Sequence, residues 1–542
     1  MAPVSENGVF LILPMAESLS LNRAMNYAEH TFQSNPILFI GSVTGLILAV
    51  LARRLTSARR RLPPGPLGLP LLGNTLQLTG EKWILFSSWR KIYGDLFYLN
   101  AVGKPIIVIN KASIAVDLLD RRATRYIDRP PNIVAWEMIT GGLFYAFGRF
   151  DEVCRRMRRA SQETINKAVV HGLDEYMMSE ALVLARNSLQ DASAWTENLH
   201  HASGSVMLAC LYGEPALDGG HDPRIEFINQ FSERITRALL PGAHWVEVLP
   251  WMRHIPSIFA PWKRSAQYWN QKADVEFIRM FESTRDRVDK GEAQESMCSM
   301  LITETDRYGL DTRENAWLAA TVFGGGAHTS AALMSWWSLA MLVYPEVQSR
   351  AQKELDAVVG RTRTPAFADL PHLPYIEAMV KELLRWGAIA PLGLPHYSNE
   401  DDVYDGYLIP KGTTVIVNVW ELNRDRETFG MDADDFNPAR YLDEKGQLLS
   451  KLPGAKDDGH FTYGFGRRVC VGKQIANKSL FIEIATCLWA FSLTNIEGQK
   501  LDVKAFRDQG TVVRPKPFHV NIQSRFPEAL ALLSHECELR GR

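Results

Sequence analysis

A glycine-rich loop around one cysteine, near the carboxyl end of the chain, constrains the fold more than any other stretch. Its sequence, at 461–472, is FTYGFGRRVCVG, so Cys470 has Gly464 before it and Gly472 after it. A thiolate that ligates iron needs backbone wrapped closely around the sulfur, and glycine permits the positive-φ turns that this wrapping requires. Inward-pointing amides in such a turn also hydrogen-bond the sulfur and tune the metal. The plainer alternative is a buried cysteine where a glycine-rich turn enters the apolar helix predicted at 475–488.

The spacing in this loop resembles the haem-ligand signature of the cytochrome P450 monooxygenases. The matching residues are Gly464, Gly466, Arg468, Cys470 and Gly472. The family usually has phenylalanine where this chain has Tyr463, so the aromatic character of the position is kept. The resemblance implies that Cys470 is the axial ligand of the iron in haem b. It further implies cofactor contacts by Tyr463, Gly464 and Arg468.

A long apolar helix is predicted at 315–342, and glycines at 324–326 interrupt it. Each glycine inside a helix costs about 1 kcal/mol relative to alanine, so some requirement for these glycines is expected. Close approach of the helix backbone to a flat cofactor would be such a requirement. In the resembled family this helix lies beside the haem, and Gly325 and Gly326 match the family pattern, which implies that they contact the cofactor.

The proton-delivery motif on the same helix departs from the family at one position. Thr329 and Ser330 match, but His328 stands where the family has an acid. The resemblance implies that the threonine hydroxyl and the acid position water that supplies protons to the iron site. Imidazole carries protons near neutral pH, so we interpret His328 as a catalytic replacement for the acid beside Thr329. The alternative is a histidine that points away from the haem and hydrogen-bonds to a neighbouring helix.

An amphipathic helix predicted at 375–386 carries Glu382 and Arg385 on one face. Pairs with this spacing recur elsewhere in the chain, so the pair alone indicates little. The resemblance implies that Arg440 joins Glu382 and Arg385 in a buried triad behind the cysteine loop. Buried charges are tolerated when they are mutually paired, so the expected role of the triad is structural.

Two further residues match family positions that bind the haem propionates. One is Arg158, within the basic run 154–159 (CRRMRR), and the other is His396. The family also has a tryptophan where this chain has Cys154, so one expected haem contact is missing. The alternative for His396 is a loop histidine in solvent. The basic run is either a solvated face or a docking surface for an acidic redox partner.

The amino-terminal region predicts where the protein resides. Residues 36–52 (PILFIGSVTGLILAVLA) form an uncharged apolar run at the lower length limit for a membrane-spanning helix. Arginines cluster at 53–61, whereas Arg23 is the only lysine or arginine before the run, so the positive-inside bias places the rest of the chain in the cytosol. A cleaved signal peptide is less favoured, because the run starts late and no basic segment precedes it.

These patterns divide the chain into a short lumenal tail at 1–35, a transmembrane anchor at 36–52, a basic and proline-rich hinge at 53–66 and a catalytic domain at 67–542. The prolines of the hinge fix φ and remove backbone donors, which makes this segment stiff. In the resembled family, such a hinge follows the anchor on the endoplasmic reticulum membrane. A single-pass protein of that membrane, with a cytosolic catalytic domain, is therefore expected.

Composition excludes other classes of protein. The net charge of −1 argues against a nucleic-acid partner, and the 46% hydrophobic content suits a large core. The six cysteines are scattered without CxxC spacing, which indicates a reducing compartment and no disulfide framework. With a hairpin predicted at 96–109 and a turn that reaches back toward the pocket at 511–518, the resemblance implies one mainly α domain with small β-sheets, the cytochrome P450 fold.

The resemblance implies a haem-thiolate monooxygenase that inserts one oxygen atom from O2 into a hydrophobic small molecule, by hydroxylation or epoxidation. Electrons would come from NADPH through a flavoprotein partner, NADPH-cytochrome P450 reductase. By analogy with fungal members of the family, the substrate would be a terpenoid or polyketide of secondary metabolism. The alternatives are a haem-thiolate isomerase or dehydratase that needs no reductase, and a non-catalytic haem-binding membrane protein.

Overall fold

A computed structural model describes residues 41, 44–45, 61–170, 173–214, 222–240, 242–387, 389–508 and 512–542. The predicted lumenal tail, nearly all of the predicted anchor and the hinge up to residue 60 lie outside the described residues. Within the described part of the chain, no helix combines the length and the apolar character that crossing a membrane requires. Residues 63–402 and 409–542 form one compact unit, which holds the site described below, and Val403–Leu408 belongs to a separate unit.

Most of the described chain is helical. The α-helices are α1 (Lys82–Tyr93), α2 (Ala112–Ala115), α3 (Glu152–Val170), α4 (Leu173–Gln190), α5 (Trp195–Tyr212), α6 (Pro223–Leu239), α7 (Pro261–Asp289), α8 (Met297–Thr303), α9 (Thr305–Tyr308), α10 (Thr312–Val343), α11 (Pro345–Val358), α12 (Pro374–Gly387), α13 (Val419–Leu422), α14 (Arg426–Phe429), α15 (Lys473–Ala490) and α16 (Ala529–Leu539). Shorter helical turns of 3₁₀ or π geometry connect them, at Thr75–Gln77, Val116–Arg121, Ile133–Ile139, Ala192–Ala194, Trp245–Glu247, Pro250–His254, Ser257–Phe259, Phe367–His372, Pro438–Tyr441 and Gly466–Arg468.

The strands are short and form small sheets. They are β1 (Leu96–Ala101), β2 (Lys104–Ile109), β3 (His396–Tyr397), β4 (Asp402–Tyr404), β5 (Tyr407–Ile409), β6 (Thr414–Val417), β7 (Phe491–Thr494), β8 (Phe506–Asp508), β9 (Val513–Pro515) and β10 (Asn521–Ser524). The largest sheet has the order β1-β2-β6-β3, with β2 and β6 parallel and the other neighbours antiparallel. Two-stranded sheets pair β7 with β10, β4 with β5 and β8 with β9. The predicted hairpin is confirmed, and its turn is Val102-Gly103, with both residues at positive φ.

The centre of the large unit is α10, which covers the apolar helix predicted at 315–342. Asp311 and Glu314 form a capping box at its start, each accepting from the other's backbone N–H at 2.7 and 3.0 Å. The tryptophans Trp317 and Trp337 are fully buried on this helix, which packs against α5 and α7. The glycines at 324–326 do not interrupt it, since α10 runs continuously to Val343.

The other two predicted motif helices are also present. The helix predicted at 375–386 is α12, and the one predicted at 475–488 is α15. Both pack against α11, and α15 also packs along α4. The cysteine loop therefore leads into a helix that the core covers along most of its length. The chain is mainly helical with small sheets, as the sequence predicts.

Candidate active site

One cavity of about 1070 Å³ brings the predicted site residues together. Residues of α10, the cysteine loop, α5 and α6, β9 and the segment before β3 form its wall. Its lining includes Arg158, Gly325, Gly326, His328, Thr329, His396, Tyr463, Gly464, Arg468 and Cys470. The predicted catalytic and cofactor-binding positions thus meet, although more than three hundred residues of chain separate Arg158 from Cys470.

The cysteine loop folds tightly around Cys470. The Cys470 N–H donates to the carbonyl oxygen of Tyr463 at 2.9 Å, and the Gly464 N–H donates to Phe461 at 3.0 Å. Gly464 has φ +79° and Gly466 has φ +56°, conformations that glycine adopts at no steric cost. At Gly466 a Cβ atom would also collide with the carbonyl oxygen of Leu119. These two glycines are therefore required by backbone geometry.

The thiol of Cys470 is exposed to the cavity, while the cavity itself lies inside the protein. Burial raises the pKa of this thiol, and a hydrogen bond from the Gly472 N–H and the charge of Arg158 act in the opposite direction. A metal ion deprotonates a coordinated thiol outright. The environment therefore suits a sulfur that becomes a thiolate when it binds iron.

Arg468 lies buried beside this loop, and its guanidinium donates hydrogen bonds to backbone carbonyls. Its Nε donates to Ile127 at 2.8 Å and its Nη2 to Gly148 at 2.7 Å. Its Nη1 lies 3.5 Å from the sulfur of Cys154, the residue that stands at the family's tryptophan position. Arg158 donates from Nη2 to the carbonyl of Val469 at 2.9 Å, so it approaches the same loop from α3.

Arg129 is a site residue that the sequence did not reveal. It is buried, and its Nη1 donates to the carbonyls of Leu394 and Pro395 at 2.8 and 2.9 Å. The next residue, His396, is also buried, with Nδ1 2.8 Å from the carbonyl oxygen of Tyr126. Burial, followed by the charge of Arg129, lowers the pKa of His396 to about 3, so this imidazole is neutral. His396 is therefore a buried residue of the cavity wall.

The residues present fit the two carboxylates of a haem. Arg129, Arg158 and Arg468 border one cavity, and none of them forms a salt bridge with a carboxylate among the described residues. Burial, followed by repulsion from Arg468 and Arg158, lowers the pKa of Arg129. A buried cation without an ionic partner is costly, so this cluster is suited to an anionic ligand.

The glycines of α10 have different surroundings. A Cβ atom at Gly325 would have nothing within 4 Å, because this residue faces the cavity. A Cβ atom at Gly326 would instead collide with the side chain of Met207 on α5. Gly326 is therefore packed closely against α5, whereas Gly325 leaves open space at the cavity wall. Thr329, one turn on, donates from Oγ1 to the carbonyl of Gly325 at 2.7 Å.

His328 borders the cavity between α10 and α6. Its imidazole hydrogen-bonds to the backbone of Asn229 on α6, and its Nε2 is buried without a hydrogen-bond partner. Burial, followed by the charge of Arg514, lowers the pKa of His328 to about 4. The imidazole is therefore neutral near pH 7, with one nitrogen engaged by the neighbouring helix and the other unpartnered.

The three residues of the expected triad lie outside the cavity wall. Arg385 donates from Nε and Nη2 to the two carboxylate oxygens of Glu382, both at 2.7 Å, and Arg440 donates from Nε to Glu382 at 3.1 Å. Glu382 and Arg385 are completely buried. Arg385 also donates to the backbone carbonyls of Asn423 and Ala433, which ties α12 to the segment that precedes the cysteine loop.

Two of the four arginines in the basic run on α3 are paired within their own helix. Arg155 contacts Glu152 at 2.7 Å, and Arg159 contacts Glu163 at 2.9 Å. These exposed arginines are partly neutralised, which reduces the attraction they offer to an acidic partner.

A family model described as Cytochrome P450 matches residues 63–522 of the chain. The chain belongs to the cytochrome P450 family. A cytochrome P450 monooxygenase of Armillaria gallica is 48% identical over 512 residues, which cover 94% of this chain and 98% of the relative. Cytochrome P450 monooxygenase 58 of Postia placenta is 39% identical over 502 residues, covering 92% and 95% of the two chains. Cytochrome P450 monooxygenase iboC of Amanita muscaria is 37% identical over 530 residues, covering 89% and 94%.

As a cytochrome P450 monooxygenase, the protein uses a haem iron and an electron donor and acts on a small molecule. The cavity agrees with this assignment, because it combines an accessible thiol, a glycine-lined helix face and a buried cationic cluster. The isomerase, dehydratase and non-catalytic alternatives are not favoured, since the relatives are named monooxygenases and the chain aligns with nearly their whole length.

Proposed function

We propose that this cytochrome P450 hydroxylates or epoxidises a terpenoid or polyketide of fungal secondary metabolism, with electrons from NADPH-cytochrome P450 reductase. The observation that supports this most strongly is that Cys470 and Thr329 border the same cavity as the buried arginine cluster. Apolar side chains also line this cavity, including Phe144, Ile225, Leu333, Val419 and Phe518. The relatives named above all come from fungi.

Haem b, held by the thiolate of Cys470, would supply oxygen activation. The arginine cluster of Arg129, Arg158 and Arg468, with His396, would hold the two propionates. Gly325 would leave room for the cofactor at the surface of α10. The rest of the protein's task is to position the substrate and to exclude bulk water.

Thr329 and His328 would position the water that delivers protons. The Thr329 hydroxyl already donates to the Gly325 carbonyl, so its oxygen can accept a hydrogen bond from water in the cavity. If the imidazole of His328 donates to Asn229, its unpartnered Nε2 is an acceptor as well, like the family's carboxylate. A neutral acceptor holds water without supplying the proton itself.

We also propose that the protein lies on the endoplasmic reticulum membrane with its catalytic domain in the cytosol. Large apolar side chains are exposed at Leu67, Leu69, Leu71, Leu76, Trp245, Trp251, Ile258 and Phe259. The two segments that carry them lie next to the β1–β2 turn, since the Val102 N–H donates to Leu72 at 3.3 Å and Lys104 Nζ donates to Glu247 at 2.8 Å. An apolar surface of this kind, together with the predicted anchor at 36–52, suits a membrane interface.

Co-expression with the reductase in yeast, followed by metabolite profiling, tests the reaction. We expect an oxygenated product that depends on NADPH and O2, and a reduced carbon monoxide complex with the thiolate-type Soret band. Cys470→Ser should lose both the band and the product. A product that forms without NADPH or O2 consumption would instead support an isomerase or dehydratase.

The proton path is tested separately, by the yield of product per NADPH consumed. Thr329→Ala should lower this yield, and His328→Ala should lower it by a similar factor. His328→Asp, which restores the family's acid, should keep or raise it. A collapse of the yield in His328→Asp would show that the imidazole has a task that a carboxylate cannot perform.

A further inference from the structure

Arg514 is a cation of the cavity wall that the proposed haem site does not use. It lies on β9, which packs against α10, and it borders the cavity. Its Nη1 lies 2.5 Å from Nε2 of His200 on α5, and its Nη2 donates to the carbonyl oxygen of His328 at 3.3 Å. Its Nε is buried without a hydrogen-bond partner. The guanidinium is thus held from two sides and incompletely satisfied.

The position of Arg514 separates it from the arginines assigned to the propionates. Those arginines donate to carbonyls before β3 (Leu394 and Pro395), in the cysteine loop (Val469) and in the segment between β2 and α3 (Ile127 and Gly148). Arg514 instead contacts the residue that precedes Thr329, so it lies beside the point of proton delivery on α10. Arg514 and Thr329 border the same cavity.

Arg514 has no ionic partner among the described residues, since none of their salt bridges involves it. Burial lowers the pKa of Arg514 to about 10, and the nearby charge that acts on it is another cation, Arg507. None of the four acidic residues that border the cavity, Glu197, Asp222, Glu226 and Glu233, forms a salt bridge with Arg514; Asp222 contacts Arg224 at 2.6 Å and Glu233 contacts Arg237 at 2.6 Å. The cation of Arg514 therefore remains available to a ligand.

His200 orients the guanidinium without adding charge. Burial, followed by the charge of Arg514, lowers the pKa of His200 to about 3, so its Nε2 is an unprotonated acceptor. Arginine presents its donors in a planar fork, which matches the two oxygens of a carboxylate. Because Nη1 contacts His200 and Nη2 donates to the His328 carbonyl, rotation of the guanidinium is restricted.

We infer that the substrate carries a carboxylate on an otherwise apolar body, and that Arg514, oriented by His200, binds this carboxylate on the distal side of the cavity. The inference rests on the proposed monooxygenase function, because it concerns the same cavity. It deepens that function by naming a substrate class, an amphipathic acid, and a specificity-determining residue.

Iron-anchored probes test this without knowledge of the natural substrate. A series of ω-(imidazol-1-yl)alkanoic acids of increasing chain length places the imidazole on the iron and the carboxylate at a variable reach, and the methyl esters are the uncharged controls. Dissociation constants come from the shift of the Soret band. In the wild-type protein, at the best chain length, the acid should bind at least about tenfold more tightly than its ester, the effect of one charge-assisted contact.

Arg514→Gln should abolish this preference and leave ester binding within about twofold of wild type. Arg514→Lys keeps the charge and should retain part of the preference. The matched control is Arg507→Gln, which removes a second cation that borders the cavity, exposed and paired with Arg514 across β8 and β9, and should leave most of the preference intact. Each variant is used only if its reduced carbon monoxide band matches wild type.

Two outcomes overturn the inference while leaving the monooxygenase assignment intact. One is wild-type protein that binds each ester at least as tightly as its acid. The other is an acid preference that survives in Arg514→Gln. A protein that shows neither the thiolate-type band nor any shift with 1-phenylimidazole would instead overturn the proposed function itself.

Discussion

The phenol of Tyr463 donates a hydrogen bond of 2.6 Å to Oδ1 of Asn477, which joins the cysteine loop to the first turns of α15. Burial raises the pKa of Tyr463, so the hydroxyl stays protonated and remains a donor. The family usually has phenylalanine at this position. In this chain, the additional hydroxyl of Tyr463 has a hydrogen-bond partner in Asn477.

A double-mutant cycle at these two residues should therefore show coupling. Tyr463→Phe and Asn477→Ala should each lower the free energy of unfolding, because each leaves one polar group without its partner. The double variant should be less destabilised than the sum, with a coupling free energy of about 1 kcal/mol. Denaturant unfolding of the haem-loaded protein measures this. Strict additivity would show that the hydrogen bond contributes nothing to stability.

Replacement of Glu382 should lower the free energy of unfolding far more than replacement of other glutamates with the same spacing to an arginine. Glu382→Gln leaves the buried guanidiniums of Arg385 and Arg440 without their common carboxylate and should cost about 3–5 kcal/mol of stability. The matched control is Glu152→Gln, since Glu152 pairs with Arg155 at the same spacing but on the surface. The control should leave the melting temperature unchanged. Equal shifts in melting temperature for the two variants would show that the buried carboxylate of Glu382 contributes no more to stability than an exposed one.

The neighbouring glycines of α10 should respond in opposite directions to alanine. In haem-free protein, Gly325→Ala should stabilise by about 0.5–1 kcal/mol, because alanine is the better helix former and the added methyl group meets open space. Gly326→Ala should destabilise by about 1–3 kcal/mol, because its methyl group displaces Met207. Thermal unfolding of both variants measures the difference. Gly325→Ala should also bind haem less tightly than the wild-type protein.

The contribution of Glu483 to stability should become less favourable as pH rises from about 4.5 to 7. Burial raises the pKa of this glutamate to about 7, against the hydrogen bond that Ser479 Oγ donates to it at 2.8 Å, and the nearby Glu180 adds to the rise. Since Glu483 keeps a proton in the folded state that the unfolded chain releases in this range, this group lowers the free energy of unfolding as pH increases. Glu483→Gln should therefore stabilise the protein by about 1–3 kcal/mol at pH 8 and have little effect at pH 4. Urea unfolding at the two pH values is the measurement, and an equal effect at both would contradict the raised pKa.

Several elements could be predicted because their signals are local. The apolar pattern at 315–342 predicts a helix since every turn of it must be buried, and α10 extends only slightly beyond these bounds. Glycine spacing around Cys470 likewise predicts a tight loop, because positive φ is a property of single residues. The requirement for Gly326, by contrast, comes from Met207 on another helix, and the sequence alone assigned it to the cofactor.

By itself, the sequence determined the mainly helical class, the tight glycine loop around Cys470 and the order of the motifs, because these depend on periodicity and on short-range spacing. Only the tertiary structure placed Arg129 next to His396 and brought Arg514 between His200 and His328. Such convergence depends on how helices and strands pack across the core. The charge of an arginine is evident in the sequence, but whether a carboxylate satisfies it is decided by residues hundreds of positions away.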